Sequence, residues 1–162
     1  MPTLWKGEAM YVHWEKELEL GNNLIDTQHR IFVLLCRKLD IAIKTKQSER
    51  TVWRVMLELK KFTEFHFHSE ENLMYEMNYP EVDEHALIHA DLLMQMDMML
   101  AKIGHHKEFP DDLLYFLNKW LIAHVVKDDM KISRYALHAE QRPLGEDLYS
   151  LYLPLYEPAK DR

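Results

Sequence analysis

Apolar positions along this chain recur in steps of three and four, the period of helix faces buried against neighbours. Four such stripes can be written out. The first is Ile25, His29, Phe32, Cys36, Leu39 and Ile43. The second is Val52, Val55, Met56, Leu59, Phe62, His66, Glu70, Leu73 and Met77. The third is Val82, His85, His89, Leu92, Met96, Met99 and Ile103. The fourth is Leu113, Leu117, Trp120 and His124, with Leu121, Val125, Asp129 and Ile132 on the adjoining flank. No Gly or Pro falls between Gly21 and Pro80, so that stretch has room for two helices and a polar turn near Lys44 to Ser48. Asn22 and Asn23 offer a cap, with Asp26 in the first turn. Pro80 and Pro110, each followed by acids, suit helix starts, and Gly104 suits a stop. The expected helices cover roughly 23–43, 49–78, 81–103 and 111–136. Short connections make neighbours antiparallel, so the expected fold is all-α, an up-down-up-down four-helix bundle. The bundle and an N-terminal arm carrying Trp5, Tyr11 and Trp14 would occupy residues 1–139. A C-terminal extension or linker, with Leu and Tyr among prolines, would occupy 140–162.

Composition narrows the partners. At 162 residues the chain suits one well-filled domain, and 48% hydrophobic with 29% charged residues is a globular mix. A net charge of −7 argues against a nucleic-acid partner, because the phosphate backbone would be repelled. The single cysteine, Cys36, excludes an internal disulfide and fits a reducing, cytoplasmic compartment. No run of about eighteen apolar residues suggests a membrane span, and Met1 to Gly7 lack the layout of a signal peptide. The 10 histidines are what the composition leaves unexplained.

Each stripe is interrupted by residues able to bind metal: His29 in the first, His66 and Glu70 in the second, His85 and His89 in the third, His124 and Asp129 in the fourth. Unpaired imidazoles and carboxylates in a core cost several kcal/mol each unless something compensates them. At about 1.5 Å per residue, all seven fall some 6–18 Å from the same end of an antiparallel bundle. They can therefore meet in one layer. His66/Glu70 and His85/His89 are i, i+4 pairs on one helix face. His124/Asp129 is an i, i+5 pair, rotated by about 140° on a regular helix. That is a poor chelate for one ion but reasonable for a carboxylate bridging two, and by spacing alone Asp128 is the better candidate. Five imidazoles and two carboxylates are too many for one tetrahedral zinc and suit two first-row ions. No histidine has Glu three residues before it, unlike the commoner di-iron bundle. A nitrogen-rich, carboxylate-poor site favours reversible oxygen binding over oxidation.

Other candidates read as packing or surface. Cys36, Met94, Met96, Met98 and Met99 are assigned to core and flank packing. Five histidines remain: His13, His68, His105, His106 and His138. Of these, His68 faces away from His66 and Glu70, and His105-His106 beside Gly104 reads as a solvated turn. Glu71 reads as a solvated neighbour of Glu70. Asp128 reads either as a solvated acid or as a support for a ligand imidazole.

The runs Gly21 through Ile25-Asp26-Thr27-Gln28-His29, then His66-Phe67-His68-Ser69-Glu70-Glu71-Asn72-Leu73-Met74, carry a family likeness. So do Tyr79-Pro80 with His85 and His89, and Trp120-Leu121 with His124 and Asp129. In this order they resemble the bacterial branch of the hemerythrin family, over roughly residues 11–135. The resemblance implies a non-haem di-iron centre, oxo- or hydroxo-bridged, held by His29, His66, Glu70, His85, His89, His124 and Asp129. Glu70 and Asp129 would bridge, which by resemblance favours Asp129 over Asp128. His85, His89 and His124 would hold a saturated iron; His29 and His66 would hold one with an open position for dioxygen. Trp120 and Leu121 match positions lining an apolar oxygen pocket. Two departures stand out. Ile132 occupies a position that is often aromatic, and the chain runs on from about Glu140 to Arg162. The function so implied is reversible dioxygen binding, as an oxygen- or redox-sensing domain or a carrier rather than as an enzyme. The tail would connect to an output domain, such as a diguanylate cyclase, or to a partner. The alternatives are a di-iron oxidase, peroxidase or nitric-oxide-handling enzyme, and simple iron or zinc binding.

Overall fold

The computed structural model describes residues 19–106 and 113–139, and within them every regular element is helical. Helix α1 spans Asn23–Lys44, α2 Glu49–Glu76 and α3 Val82–His106. Helix α4 spans Leu113–His124 and α5 Met130–Ala139, joined by one π-helical turn over Val125–Asp129. The all-α expectation holds, and the stripes fall on the helices assigned to them. The fourth helix is not the uninterrupted α-helix expected, because the π turn divides it. Its expected start at 111, the N-terminal arm with His13, and the C-terminal extension lie outside the described residues. Gly104 does not stop α3, which runs on to His106. A glycine inside a helix costs about 1 kcal/mol, a penalty that does not by itself end one.

Local chemistry sets the starts. The Asn22 side chain accepts hydrogen bonds from the backbone N–H groups of Leu24 and Ile25. Asp26 reaches back to the N–H groups of Leu20 at 2.6 Å and Gly21 at 3.1 Å. The incoming strand of chain is thus fixed to the first turn, and Gly21 at φ 87° makes the bend. Ser48 caps α2 by accepting from the Thr51 N–H.

Cross-helix contacts fix the direction of each pair. Gln28 meets Ser69 while Lys38 meets Glu58, so α1 and α2 run antiparallel. Lys60 meets Asp97 while Glu71 meets His89, so α2 and α3 do as well. Phe32 faces Trp120 while His29 faces Asp129, which makes α1 antiparallel to the α4–α5 column. Phe32, Leu39, Val52, Met56, Leu59, Met96, Leu113 and Leu117 fill the core between them. Cys36 is buried there, its thiol pushed up to about 12 by burial, so it packs as a small apolar group. Of the four methionines expected to pack, Met96 is core and Met99 half-buried. Met94 and Met98 are exposed, because α3 turns that face to solvent.

One end of the bundle is closed more tightly than the sequence suggests. The link from α2 to α3 turns at Asn78, φ 53°, and its Tyr79 is buried against Met74 and Ile132. The Tyr135 hydroxyl donates to the Asn78 carbonyl, and the Ser133 hydroxyl donates to the Leu20 carbonyl at 2.6 Å. Ile132, in the often-aromatic position, therefore fills the seam between α5 and this link. Among the described residues, no helix is long and apolar enough to cross a membrane. Leu59→Ala, in the fully buried middle of α2, is expected to lower stability by about 2–5 kcal/mol in urea titrations, through the cavity it leaves.

Candidate metal centre

The seven residues singled out in the sequence, Asp129 by resemblance rather than by spacing, come together at the closed end. His29 comes from α1, His66 and Glu70 from α2, His85 and His89 from α3, and His124 and Asp129 from the two ends of the π turn. All seven are buried, none above 4% exposure. Their donor atoms form two overlapping groups: Glu70, His85, His89, His124 and Asp129, and His29, His66, Glu70 and Asp129. Within each, the donor atoms lie within 4.8 Å of one another.

The two carboxylates join the groups by dividing their oxygens. Glu70 Oε1 lies 3.8 Å from Nε2 of both His29 and His66. Glu70 Oε2 lies 3.3 Å from His89 Nε2 and 3.9 Å from His85 Nε2. Asp129 Oδ2 faces His29 at 3.6 Å. Asp129 Oδ1 faces His124 at 3.1 Å and His85 at 3.3 Å.

The π turn explains how Asp129 gets there. The Met130 N–H bonds to the Val125 carbonyl, five residues back, so one extra residue is taken up in the turn. Position i+5 then falls where i+4 would lie on a regular helix. The preference for Asp128 from spacing alone is thereby reversed in the geometry: Asp129 is fully buried in the cluster, and Asp128 lies outside it. Asp128 Oδ2 stands 3.6 Å behind His124 Nδ1.

Protonation follows burial and neighbours. Burial pulls His66 well below its ordinary value, helped by His29. Burial takes His89 down to about 2, with His124 and His85 adding to it, and lowers His124 as well. His85 is the exception: burial opposes its charge, but contact with Asp129 and Glu70 wins and raises it to about 9. Burial and the neighbouring Asp129 raise Glu70 to about 8. Asp129 is held low against the cost of burial by His124, His85 and His29. Imidazoles kept neutral to low pH present lone pairs, which a metal requires.

The donor set passes a test of fit from its own polar atoms. Both oxygens of Glu70, both of Asp129 and Nε2 of His85 are buried with no hydrogen-bond partner. Orphaned buried polar groups cost about 1–3 kcal/mol each, more when charged. Cations between the carboxylates and imidazoles would satisfy all of them at once.

Three neighbours of the cluster escaped the sequence reading. Gln28 Oε1 lies 2.9 Å from His66 Nδ1, and Glu71 Oε1 lies 2.9 Å from His89 Nδ1. Glu71 is therefore not the solvated neighbour expected: one oxygen is turned inward to His89, and the other stands 3.5 Å from the exposed His68. Phe67 stacks flat on His89, centroids 3.8 Å apart at 3°. Its position beside His66 and three before Glu70 was the available signal. Trp120 packs between Phe32 and Phe67, 6.3 Å from His124. Leu121 follows it on α4, but its side chain lies outside the described residues.

The model of the hemerythrin HHE cation binding domain matches residues 20–136, which is most of the chain and every residue of the cluster. The chain belongs to the hemerythrin family. It is 29% identical over 116 residues to a bacteriohemerythrin of Stenotrophomonas maltophilia, covering 72% of this chain and 75% of the relative. A bacteriohemerythrin of Campylobacter jejuni is 25% identical over 122 residues, with 75% and 92% covered. One from Clostridium acetobutylicum is 25% identical over 121 residues, with 72% and 94% covered.

The pH dependence of the metal-free hemerythrin domain follows from the buried imidazoles. His66, His89 and His124 have folded values below the ordinary 6.5, so the unfolded chain takes up those protons first. Their contribution is complete above about 6.5 and is lost as pH falls toward the folded values. Glu70, raised to about 8, works in the opposite direction only down to its ordinary 4.5, one group against three. Thermal unfolding of the metal-free chain is expected to show a melting temperature that falls from pH 6.5 to 4. The fall should be shallower in His89→Gln.

Proposed function

We propose that this hemerythrin-family chain is a non-haem di-iron protein that binds dioxygen reversibly, as an oxygen- or redox-sensing domain or a carrier. The observation that carries this reading is the unequal division of imidazoles around two shared carboxylates. Three imidazoles stand on one side of Glu70 and Asp129 and two on the other. His85, His89 and His124 would hold one iron and His29 and His66 the second, with Glu70 and Asp129 bridging. That second ion would have one protein donor fewer, which would leave a position for a small ligand. Bound iron would supply the electrons that dioxygen takes up.

The chain's own residues do the rest. Phe32, Phe67 and Trp120 form an apolar wall beside the cluster and keep water from it. A dry site slows escape of reduced oxygen and loss of the reversible state. Asp129 ends the π turn and α5 follows directly, so a shift at Asp129 is carried into α5. That connection supports the sensing form of the proposal, with residues 140–162 leading to an output domain or partner.

Anaerobic reconstitution with ferrous iron tests the reading. The expected result is about two irons per chain and a charge-transfer band that appears in oxygen and fades on its removal. A single bound ion, or none, overturns it; two irons that oxidise once and never return point to an enzyme or a one-way redox sensor. Substitutions separate the residues within it. Glu70→Ala and Asp129→Ala are expected to lose both irons, whereas His68→Ala, at the exposed edge, keeps two. Metal analysis of the purified variants decides this.

A further inference from the structure

Two imidazoles from different halves of the cluster, His66 and His89, are held from behind by acceptors of different charge. Behind His66 stands a neutral amide. The Ser69 hydroxyl donates to the Phe65 carbonyl, so its oxygen is left to accept from the Gln28 amide nitrogen at 3.1 Å. That fixes the amide orientation and turns Gln28 Oε1 toward His66 Nδ1. His66 must then donate from Nδ1, and its Nε2 lone pair faces the cluster. Behind His89 stands a carboxylate. Glu71 Oε1 can only accept, so His89 also donates from Nδ1 and turns its Nε2 lone pair inward. Phe67 stacked on the His89 ring holds that orientation.

The tautomers match, but the donors do not. A carboxylate drawing on the Nδ1 proton makes the opposite nitrogen a stronger electron donor than a neutral amide does. We infer that Gln28 and Glu71 are positioning residues that make the two metal positions unequal: Glu71 biases the position of His89 toward the more highly charged ion, and Gln28 leaves that of His66 easier to keep reduced. This rests on the two-iron reading of the cluster and goes beyond it, because it assigns different electronic character to the two positions.

Isosteric exchanges test it, because each keeps an acceptor on the imidazole Nδ1 and changes its charge, although Gln28→Glu also gives up the amide bond to Ser69. Glu71→Gln still offers an oxygen to His89, so a merely structural role would leave the iron unaffected. The chain loaded with ferrous iron is titrated with redox mediators while its visible spectrum is followed. Release of ferric iron to a chelator is timed alongside. Glu71→Gln is expected to move one of the two reduction steps to a more positive potential and to release ferric iron about ten-fold faster. Gln28→Glu is expected to move the other step in the negative direction. Two irons in the wild-type chain with both variants unchanged in potential and release overturn the inference and leave the di-iron reading standing. Both variants moving the same step overturns the assignment of one acceptor to each position. A wild-type chain that holds fewer than two irons overturns the inference together with the reading it rests on.

Discussion

Two carboxylates whose four oxygens have no hydrogen-bond partner, sealed in a core, are the constraint that the rest of this structure serves. Glu70 and Asp129 are almost fully buried, and burial alone would drive both toward the protonated state. Five imidazoles around them offset part of that cost, and cations fit the remainder. The arrangement works only if four helices deliver side chains to one level. This gives the closed end of the bundle its purpose. The Asn78 turn sets α3 beside α2, Asp26 pins the start of α1, and α5 is tied to both by Tyr135 and Ser133. Each tie fixes the height of a helix that carries, or directly follows, part of the cluster.

The π turn shows how local backbone yields to that demand. A regular helix would place Asp128, not Asp129, above His124. Taking up one extra residue brings Asp129 to His124 at 3.1 Å and leaves Asp128 behind the same ring at 3.6 Å. Both acids then bear on one imidazole, from front and back. A π turn is less favourable than an α turn and is found mostly where function holds it. Here it survives because the flanking helices are anchored on either side: α4 by its core contacts at Leu117 and Trp120, α5 by its hydrogen bonds to Leu20 and Asn78.

This division also marks what can be read from one dimension. The stripes gave the helices because burial imposes a three-four period that any tertiary arrangement must respect. The i, i+4 pairs His66/Glu70 and His85/His89 were legible for the same reason. Spacing could not choose Asp129, because the turn that brings it in is stabilised by contacts between distant elements. A resemblance chose it instead, and in the structure Asp129 lies inside the cluster. Gln28 and Glu71 were invisible to periodicity: each belongs to the polar flank of its helix, and only the approach of a neighbouring helix turns one atom inward. Gly104 failed as a stop signal because the cost of a glycine in a helix, about 1 kcal/mol, does not by itself end one.

The apolar wall and the outer acceptors act on the same quantity from opposite sides. Phe67 lies against His89, with Trp120 and Phe32 beyond it, and this lowers the polarity around the cluster. In such surroundings charges interact more strongly than in water. A carboxylate at the edge, such as Glu71, is therefore felt through the imidazole ring it holds rather than being screened by solvent. The same ring thus has an apolar face that keeps water out and a polar edge that tunes what the inner nitrogen can hold. Phe67 and Glu71 lie on one helix four residues apart, and both meet His89 on the next. The electronic character of that part of the cluster is then a property of one helix contact, α2 against α3. It can be altered at Glu71 without replacing Glu70 or Asp129.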